Sequence, residues 1–198
     1  MMTNKINTIN NNLSFKAKYL NNVNIEKLNP KNGNFEPEEV SLVEFDPQNV
    51  HDTMAICSTH RNWPREQFAS AIAYQAMLMS ETPFEDEPNS IYIMTQQKNN
   101  FDYLDDSKIL GLAEIEKENK GVYRLNYIQT DPEKSSFMNS RSEYKNIGKK
   151  MLDFLKTKYT NSTIKLNAAN NTVAKWYEKN GFKLRDSDTR LFEWRKTI

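Results

Sequence analysis

The chain has 198 residues, 37% of them hydrophobic, which fits one domain with an appendage and a sizeable packed core. Lys and Arg number 27 against 26 Asp and Glu, so the net charge of +1 offers no broad electrostatic surface for nucleic acid or an anionic membrane. Neither end has the run of about 18–20 apolar residues that spans a bilayer. The single cysteine, Cys57, cannot form an internal disulfide and suits a reducing compartment. We therefore expect a soluble, cytoplasmic protein that binds no nucleic acid and no membrane, and the sequence leaves its oligomeric state open.

The N-terminal residues predict a disordered start followed by a hairpin. Residues 1–12 are nearly all polar and bury too little apolar surface to order themselves. Apolar and polar residues then alternate on both sides of Asn21-Asn22, a pair that is typical of a turn. Turn-forming residues are dense over 29–34. We therefore predict a hairpin appendage over 13–34 and a main domain over 35–198.

Two periodicities define the elements of the main domain. Alternation of apolar and polar residues predicts strands, and apolar residues three or four positions apart predict helices with one buried face. Pro64 suits a first helical position, whereas Asn171 and Gly181 suit the last helix as its N-cap and its left-handed C-terminal cap. In chain order, the predicted elements are a strand over 40–45, helices over 49–59 and 64–80, strands over 91–95, 109–116 and 122–130, a helix over 147–159, a strand over 164–168, a helix over 171–180, and strands over 182–184 and 191–195.

The last predicted helix carries a recognisable run of residues. The run NTVAKWYEKNGF, residues 171–182, combines the N-cap and the C-terminal glycine with a small residue, Ala174, that leaves room for a ligand at the helix face. With the order of the elements, it resembles the last conserved helix of the Gcn5-related N-acetyltransferases, the GNAT fold, and the resemblance extends over about residues 40–195.

This resemblance implies both an architecture and an activity. The architecture is an α/β (α+β) GNAT fold with a central mixed, largely antiparallel sheet of about six or seven strands, a splayed strand pair and about four helices. The N-terminal hairpin is added to it. The implied activity is transfer of an acetyl group from acetyl-CoA to a primary amine of a small molecule or a protein. The resemblance further implies that Asn171 and Ala174 contact acetyl-CoA.

Tyr177 lies on the same predicted helix, one turn beyond Val173. In the resembled family, the corresponding hydroxyl lies close to the thioester sulfur and often protonates the departing CoA thiolate. The resemblance therefore makes Tyr177 a candidate catalytic general acid. A tyrosine at this spacing also fits a structural role between helix and sheet, and both interpretations stay open.

A second motif opens the helix predicted over 147–159. The first N–H groups of a helix lack internal partners and attract anions. The segment resembles the GNAT loop that binds the pyrophosphate of CoA, although Glu143 stands where Arg or Gln is usual and Asn146 where the first glycine is usual. Asn tolerates left-handed backbone angles, so we expect the turn to survive. The resemblance implies donor contacts by Tyr144, Lys145, Asn146, Ile147, Gly148 and Lys149.

The strand that ends at Ile128-Gln129-Thr130 resembles the family's fourth strand. In the family, that strand splays from its neighbour, and its exposed backbone groups pair with the pantetheine amides of CoA. The resemblance therefore places these three residues against acetyl-CoA. The spacing to the next motif is longer than usual, so residues 133–141 look like an insertion, either a substrate-facing flap or a surface loop.

Attack of an amine on a thioester also needs a proton acceptor. Glu114 and Glu116 lie on one face of a predicted strand, and that strand can carry the base in the resembled family. Glu114 is the candidate catalytic base, with a water relay or a merely solvent-exposed glutamate as the alternatives. No cluster of Cys or His predicts a metal site.

Two further functions stay open at this stage. The departures at Glu143 and Asn146 are compatible with a degenerate GNAT domain that binds CoA weakly or not at all and acts as an interaction module. The segment before Asn34 is also a candidate for recruiting a partner protein to be acetylated. Acceptor choice in this fold lies in variable helices and loops, so the sequence does not name the acceptor.

Overall fold

The computed structural model describes residues 16–63, 67–81, 88–135 and 142–196, so the start predicted to be disordered, residues 1–12, lies outside the described residues. The described residues form nine strands, four α-helices and a single 3-10 turn at Asp106–Lys108. In chain order, the strands and α-helices are β1 Lys18–Leu28, β2 Phe35–Glu44, α1 Val50–Asn62, α2 Gln67–Glu81, β3 Asn89–Thr95, β4 Ile109–Asn119, β5 Val122–Thr130, β6 Tyr144–Lys145, α3 Ile147–Lys158, β7 Thr163–Asn167, α4 Asn171–Lys179, β8 Lys183–Asp186 and β9 Leu191–Trp194.

All nine strands belong to one sheet, in the order β6-β1-β2-β3-β4-β5-β7-β9-β8. Neighbouring strands run antiparallel, except for β5 and β7, which are parallel. The predicted mixed, largely antiparallel sheet with about four helices is therefore confirmed. The sheet is wider than predicted because β1 and the two-residue strand β6 extend it beyond β2.

The predicted turn at Asn21-Asn22 is wrong, because β1 runs straight through this pair. A register shift after Tyr19 absorbs one extra residue, and the strand then stays paired with β2 as far as Leu28. Its alternation continues past the pair and buries Ile25 in the core, which favours an uninterrupted strand. The chain reverses over residues 29–34 instead, where Gly33 has φ of +72°.

Helices cover both faces of the sheet, and alternate strand residues supply two cores. On β3, for example, Tyr92 packs into the core beneath α3 and α4, whereas Ile93 packs into the core beneath α1 and α2. Helix α3 lies very close to β4, since a Cβ added to Gly111 would be 2.6 Å from Met151 Sδ. The glycine at 111 thus leaves room for the Met151 side chain between α3 and β4. None of the helices within the described ranges is both long enough and apolar enough to cross a membrane.

The N-cap of α4 lies one residue earlier than predicted. The N-cap is Asn170, whose side-chain oxygen accepts a hydrogen bond of 3.0 Å from Val173 N, and Asn171 is the first helical residue. Both asparagines suit a cap, and the geometry selects Asn170 because its backbone is extended. The prediction for the other end is confirmed, since Gly181 has φ of +82°.

Candidate functional site

A cavity of about 560 Å³ opens where β5 and β7 separate. The two strands pair only from Val122 with Thr163 to Arg124 with Lys165, and both continue beyond the last pair. The splayed strand pair that the sequence predicted is therefore present. The cavity lies between the unpaired ends of these strands and reaches the start of α3 and one face of α4.

Most of the residues predicted to bind the donor meet in this cavity. Its lining includes Ile128, Gln129, Thr130, Tyr144, Lys145, Asn146, Ile147, Gly148 and Lys149, together with Tyr177. Asn171 and Ala174 are not part of the lining, because the face of α4 towards the cavity carries Val173, Trp176 and Tyr177. These three residues follow the i, i+3, i+4 spacing of one helix face. Donor contacts by Asn171 and Ala174 stay predictions.

The start of α3 has the geometry of an anion site. Asn146 is left-handed, with φ of 67°, and its side chain makes no capping hydrogen bond. The first N–H groups of the helix therefore keep no internal partner, and they lie at the cavity. A Cβ added to Gly148 would come no closer than 3.7 Å to Thr130 or Trp176, so the glycine leaves the helix surface open rather than avoiding a clash.

The unusual residue Glu143 is directed to β1. Its carbonyl oxygen accepts a hydrogen bond of 2.8 Å from Leu28 N, and its carboxylate lies 3.9 Å from Lys27 Nζ. The carboxylate's charge is therefore opposed by a lysine. Asn146 adopts the conformation that a glycine would, so neither departure from the family pattern removes the turn before α3.

Tyr177 is 5% exposed and lines the cavity together with the residues of the α3 turn. Its ring makes edge contacts with Trp176 and Phe182, at centroid distances of 4.9 and 5.5 Å, which fix its orientation. Burial raises the pKa of its hydroxyl, so the group stays protonated at neutral pH. Tyr177 therefore packs in the core and also borders the cavity, and its role as a general acid stays a prediction.

Glu114 is 2% exposed and does not line the cavity. Asn126 connects Glu114 to the cavity, which Asn126 itself lines. The Asn126 Nδ2 donates hydrogen bonds to Glu114 Oε1 at 3.1 Å and to Glu116 Oε2 at 3.2 Å. The solvent-exposed alternative is wrong for Glu114, while a base acting through a relay remains compatible with this geometry.

Asn126 is the residue that sequence reasoning missed. It is the extra residue of a bulge, because Glu114 pairs with Tyr127 and Ile115 with Leu125. A signal was present in the sequence: the adjacent residues Tyr127 and Ile128 are both apolar, so the strict alternation of the strand breaks there. The bulge lies next to the last pair between β5 and β7, and local twist of this kind helps neighbouring strands to diverge.

The insertion predicted over 133–141 is described only as far as Ser135. There, Asp131 Oδ1 accepts hydrogen bonds from the backbone N–H groups of Glu133 and Lys134, which turn the chain after β5. Residues 136–141 lie outside the described residues, so the choice between flap and surface loop stays open. Ser135 and Ser142, at the two ends of this range, line the cavity.

A mixed sheet with one splayed parallel pair, a cavity between the separated strands and an open helix start at its edge is the GNAT fold. Solved structures share it, and three examples follow. A protein from Exiguobacterium sp. 255-15 assigned as an acetyltransferase has a TM-score of 0.53 at 12% identity, covering 79% of this chain and 93% of its own. An acetyltransferase from Streptococcus agalactiae has a TM-score of 0.51 at 12% identity, and the match covers 78% of this chain and 96% of that protein. A protein from Desulfovibrio desulfuricans assigned to the GNAT family has a TM-score of 0.51 at 10% identity, and the match covers 88% of this chain and 98% of that protein.

At these identities the likeness is one of fold. Neither the family models nor the curated proteins compared with this chain match it.

Proposed function

We propose that this chain is an N-acetyltransferase that moves an acetyl group from acetyl-CoA to a primary amine. The observation that carries the proposal is the single cavity that joins the open N-terminus of α3, the unpaired end of β5 and Tyr177. These are the three parts that the reaction needs: an anion site, a backbone edge and a proton donor. The acceptor is an amine of a small molecule or a protein.

The diphosphate and the pantetheine amides of the donor fit different parts of the cavity. The diphosphate of acetyl-CoA is assigned to the N–H groups at Ile147, Gly148 and Lys149, where the helix dipole favours negative charge. The backbone of β5 beyond Arg124 has no strand partner on its β7 side, so its groups at Ile128 and beyond are available to pantetheine amides.

The chemistry is a direct attack on the thioester. The neutral amine nitrogen bonds to the carbonyl carbon, the carbon–sulfur bond breaks, and CoA leaves as a thiolate that takes a proton from Tyr177. The raised pKa keeps this hydroxyl protonated at neutral pH, and the tyrosinate left after the transfer is strongly basic and regains a proton from solvent between turnovers, while Glu114 releases its proton to solvent. The proton lost by the amine passes through water to Glu114, because Asn126 separates its carboxylate from the cavity.

Tyr177→Phe tests this function. We expect kcat to fall about 100-fold, in the usual range for loss of a positioned proton donor. The affinity for acetyl-CoA and the melting temperature should stay near those of the wild type, because the phenyl ring keeps its contacts with Trp176 and Phe182. Turnover is followed with radiolabelled acetyl-CoA and fractionated lysate as the source of acceptors.

Tyr92→Phe is the matched control, since it also removes a buried hydroxyl. The Tyr92 hydroxyl forms a hydrogen bond of 2.8 Å with the Tyr159 hydroxyl, and Tyr92 does not line the cavity. It should leave turnover unchanged. Equal kcat for the wild type and Tyr177→Phe would remove Tyr177 from catalysis. Acetyl-CoA binding without label transfer to any fraction would instead support the interaction-module alternative.

A further inference from the structure

The two residues of β6 connect the donor site to the N-terminal strand. Lys145 pairs with Glu26 and Tyr144 with Lys27, and Leu28 N donates to the Glu143 carbonyl. Asn146, the left-handed residue that opens α3, follows β6 directly. A two-residue strand contributes few hydrogen bonds of its own, so its position depends on the side chains that anchor it.

Those side chains form a polar network beneath β6. The Tyr144 hydroxyl accepts a hydrogen bond of 2.7 Å from Gln96 Nε2, which also donates to Glu38 Oε1 at 3.2 Å. Lys27 Nζ is 3.1 Å from the same glutamate and 5.3 Å from the centre of the Tyr144 ring. Hydrogen bonds to Tyr144 and Glu38 raise the pKa of Lys27, so its ammonium group persists throughout the physiological range.

The network joins four separate parts of the fold. Lys27 belongs to β1, Glu38 to β2, Gln96 follows β3, and Tyr144 forms β6. Tyr144 is 2% exposed, and its hydroxyl is held by Gln96. On the next residue, Lys145 Nζ lies 3.7 Å from the centre of the Phe35 ring of β2, which adds a second attachment.

We propose that the β1–β2 hairpin is a functional part of the donor site, in which Lys27 and Tyr144 act as positioning residues that hold β6 and thereby the left-handed turn at Asn146. This rests on the proposed function. A left-handed asparagine is intrinsically disfavoured and persists where its neighbours fix the backbone. Fixing β6 in advance lowers the ordering cost that donor binding would otherwise meet.

Two substitutions test the network, one at Tyr144, which also lines the cavity, and one at Lys27, which does not. Tyr144→Phe keeps the buried ring and removes the hydroxyl, and Lys27→Met keeps much of the stem and removes the charge. Each should weaken acetyl-CoA binding about five- to tenfold, the equivalent of one lost hydrogen bond. KM for acetyl-CoA should rise by the same factor with kcat unchanged, and Lys27→Arg should restore most of the affinity.

Tyr92→Phe is again the matched control. It removes a buried, hydrogen-bonded hydroxyl at the other end of α3, near Tyr159, and should lower thermal stability as much as Tyr144→Phe without changing acetyl-CoA affinity. If both variants weaken binding equally, or if neither Tyr144→Phe nor Lys27→Met does, the positioning role is contradicted.

A second readout does not depend on the ligand. Hydrogen exchange of the Tyr144 amide, which donates to the Lys134 carbonyl, and of the Leu28 amide should accelerate in Tyr144→Phe and Lys27→Met but not in Tyr92→Phe. If the wild type binds no acetyl-CoA, the proposed function fails, and this comparison alone decides the positioning role. Unchanged exchange in both variants would overturn it.

Discussion

Asp52 is a buried carboxyl group at the start of α1, remote from the cavity. Its oxygens accept hydrogen bonds from Asn49 Nδ2 at 2.8 Å and from Asp46 N at 3.1 Å. Burial raises the pKa of Asp52 from 3.8 to about 7, against the opposing effect of the backbone hydrogen bond. The folded chain therefore holds a proton that the unfolded chain releases near pH 4.

The sign of the resulting pH dependence follows from that difference. The stability that the proton contributes is complete below about pH 4 and is lost as the pH rises to about 7. We expect the melting temperature of the wild type to fall relative to that of Asp52→Asn over this interval and to level off above it. Thermal unfolding of both chains at a series of pH values measures the difference. A constant offset from pH 4 to 8 would show that Asp52 titrates normally.

The packing of α3 against β4 depends on a glycine in the strand. A Cβ at Gly111 would lie 2.6 Å from Met151 Sδ and 3.0 Å from Ile147 Cγ2. Ile147 is the first residue of α3, so the glycine leaves room for side chains of both the core and the first turn of this helix.

Gly111→Ala should destabilise the fold by about 1–3 kcal/mol, the usual cost of overpacking a core. Urea denaturation gives the loss as a lower midpoint with an unchanged slope. Met151→Ala frees the space that the new methyl group needs, so the double variant should lose less stability than the two single variants together. Simple additivity would mean that the methyl group does not press on α3.

Elements with a strong local pattern were predictable from the sequence. The 3.6-residue spacing of Ile147, Met151 and Leu155 gave α3, and the tolerance of asparagine for left-handed angles gave the turn at Asn146. Gly181 likewise marked the end of α4. In each case the determining interactions lie within a few residues, which is why periodicity and residue type sufficed.

Features that depend on distant partners were not predictable in this way. The pair Asn21-Asn22 suits a turn locally, yet pairing with β2 keeps it in a strand. Strand β6 exists because β1 lies beside it, and its two residues carry no periodicity. The bulge at Asn126 depends on how β4 and β5 register, so the link from that residue to Glu114 emerged only from the structure.

At the scale of the whole molecule, the candidate site lies where two neighbouring strands of the sheet separate. The strands β5 and β7 pair for three residues and then diverge, and α3 starts at the edge of the gap. At the far edge of the sheet, β1 and β6 extend it to the turn that opens α3. We propose that acetyl-CoA occupies this gap with its diphosphate at α3.

Calorimetric titration of the wild type and Gly148→Ala with acetyl-CoA tests that claim most directly. The variant should fold normally, because its Cβ would have no neighbour closer than 3.7 Å. We expect one donor bound per chain and an affinity at least about tenfold lower in Gly148→Ala, since the methyl group blocks close approach to the helix N–H groups. No binding by the wild type at millimolar acetyl-CoA, or equal affinity in the two chains, would contradict it.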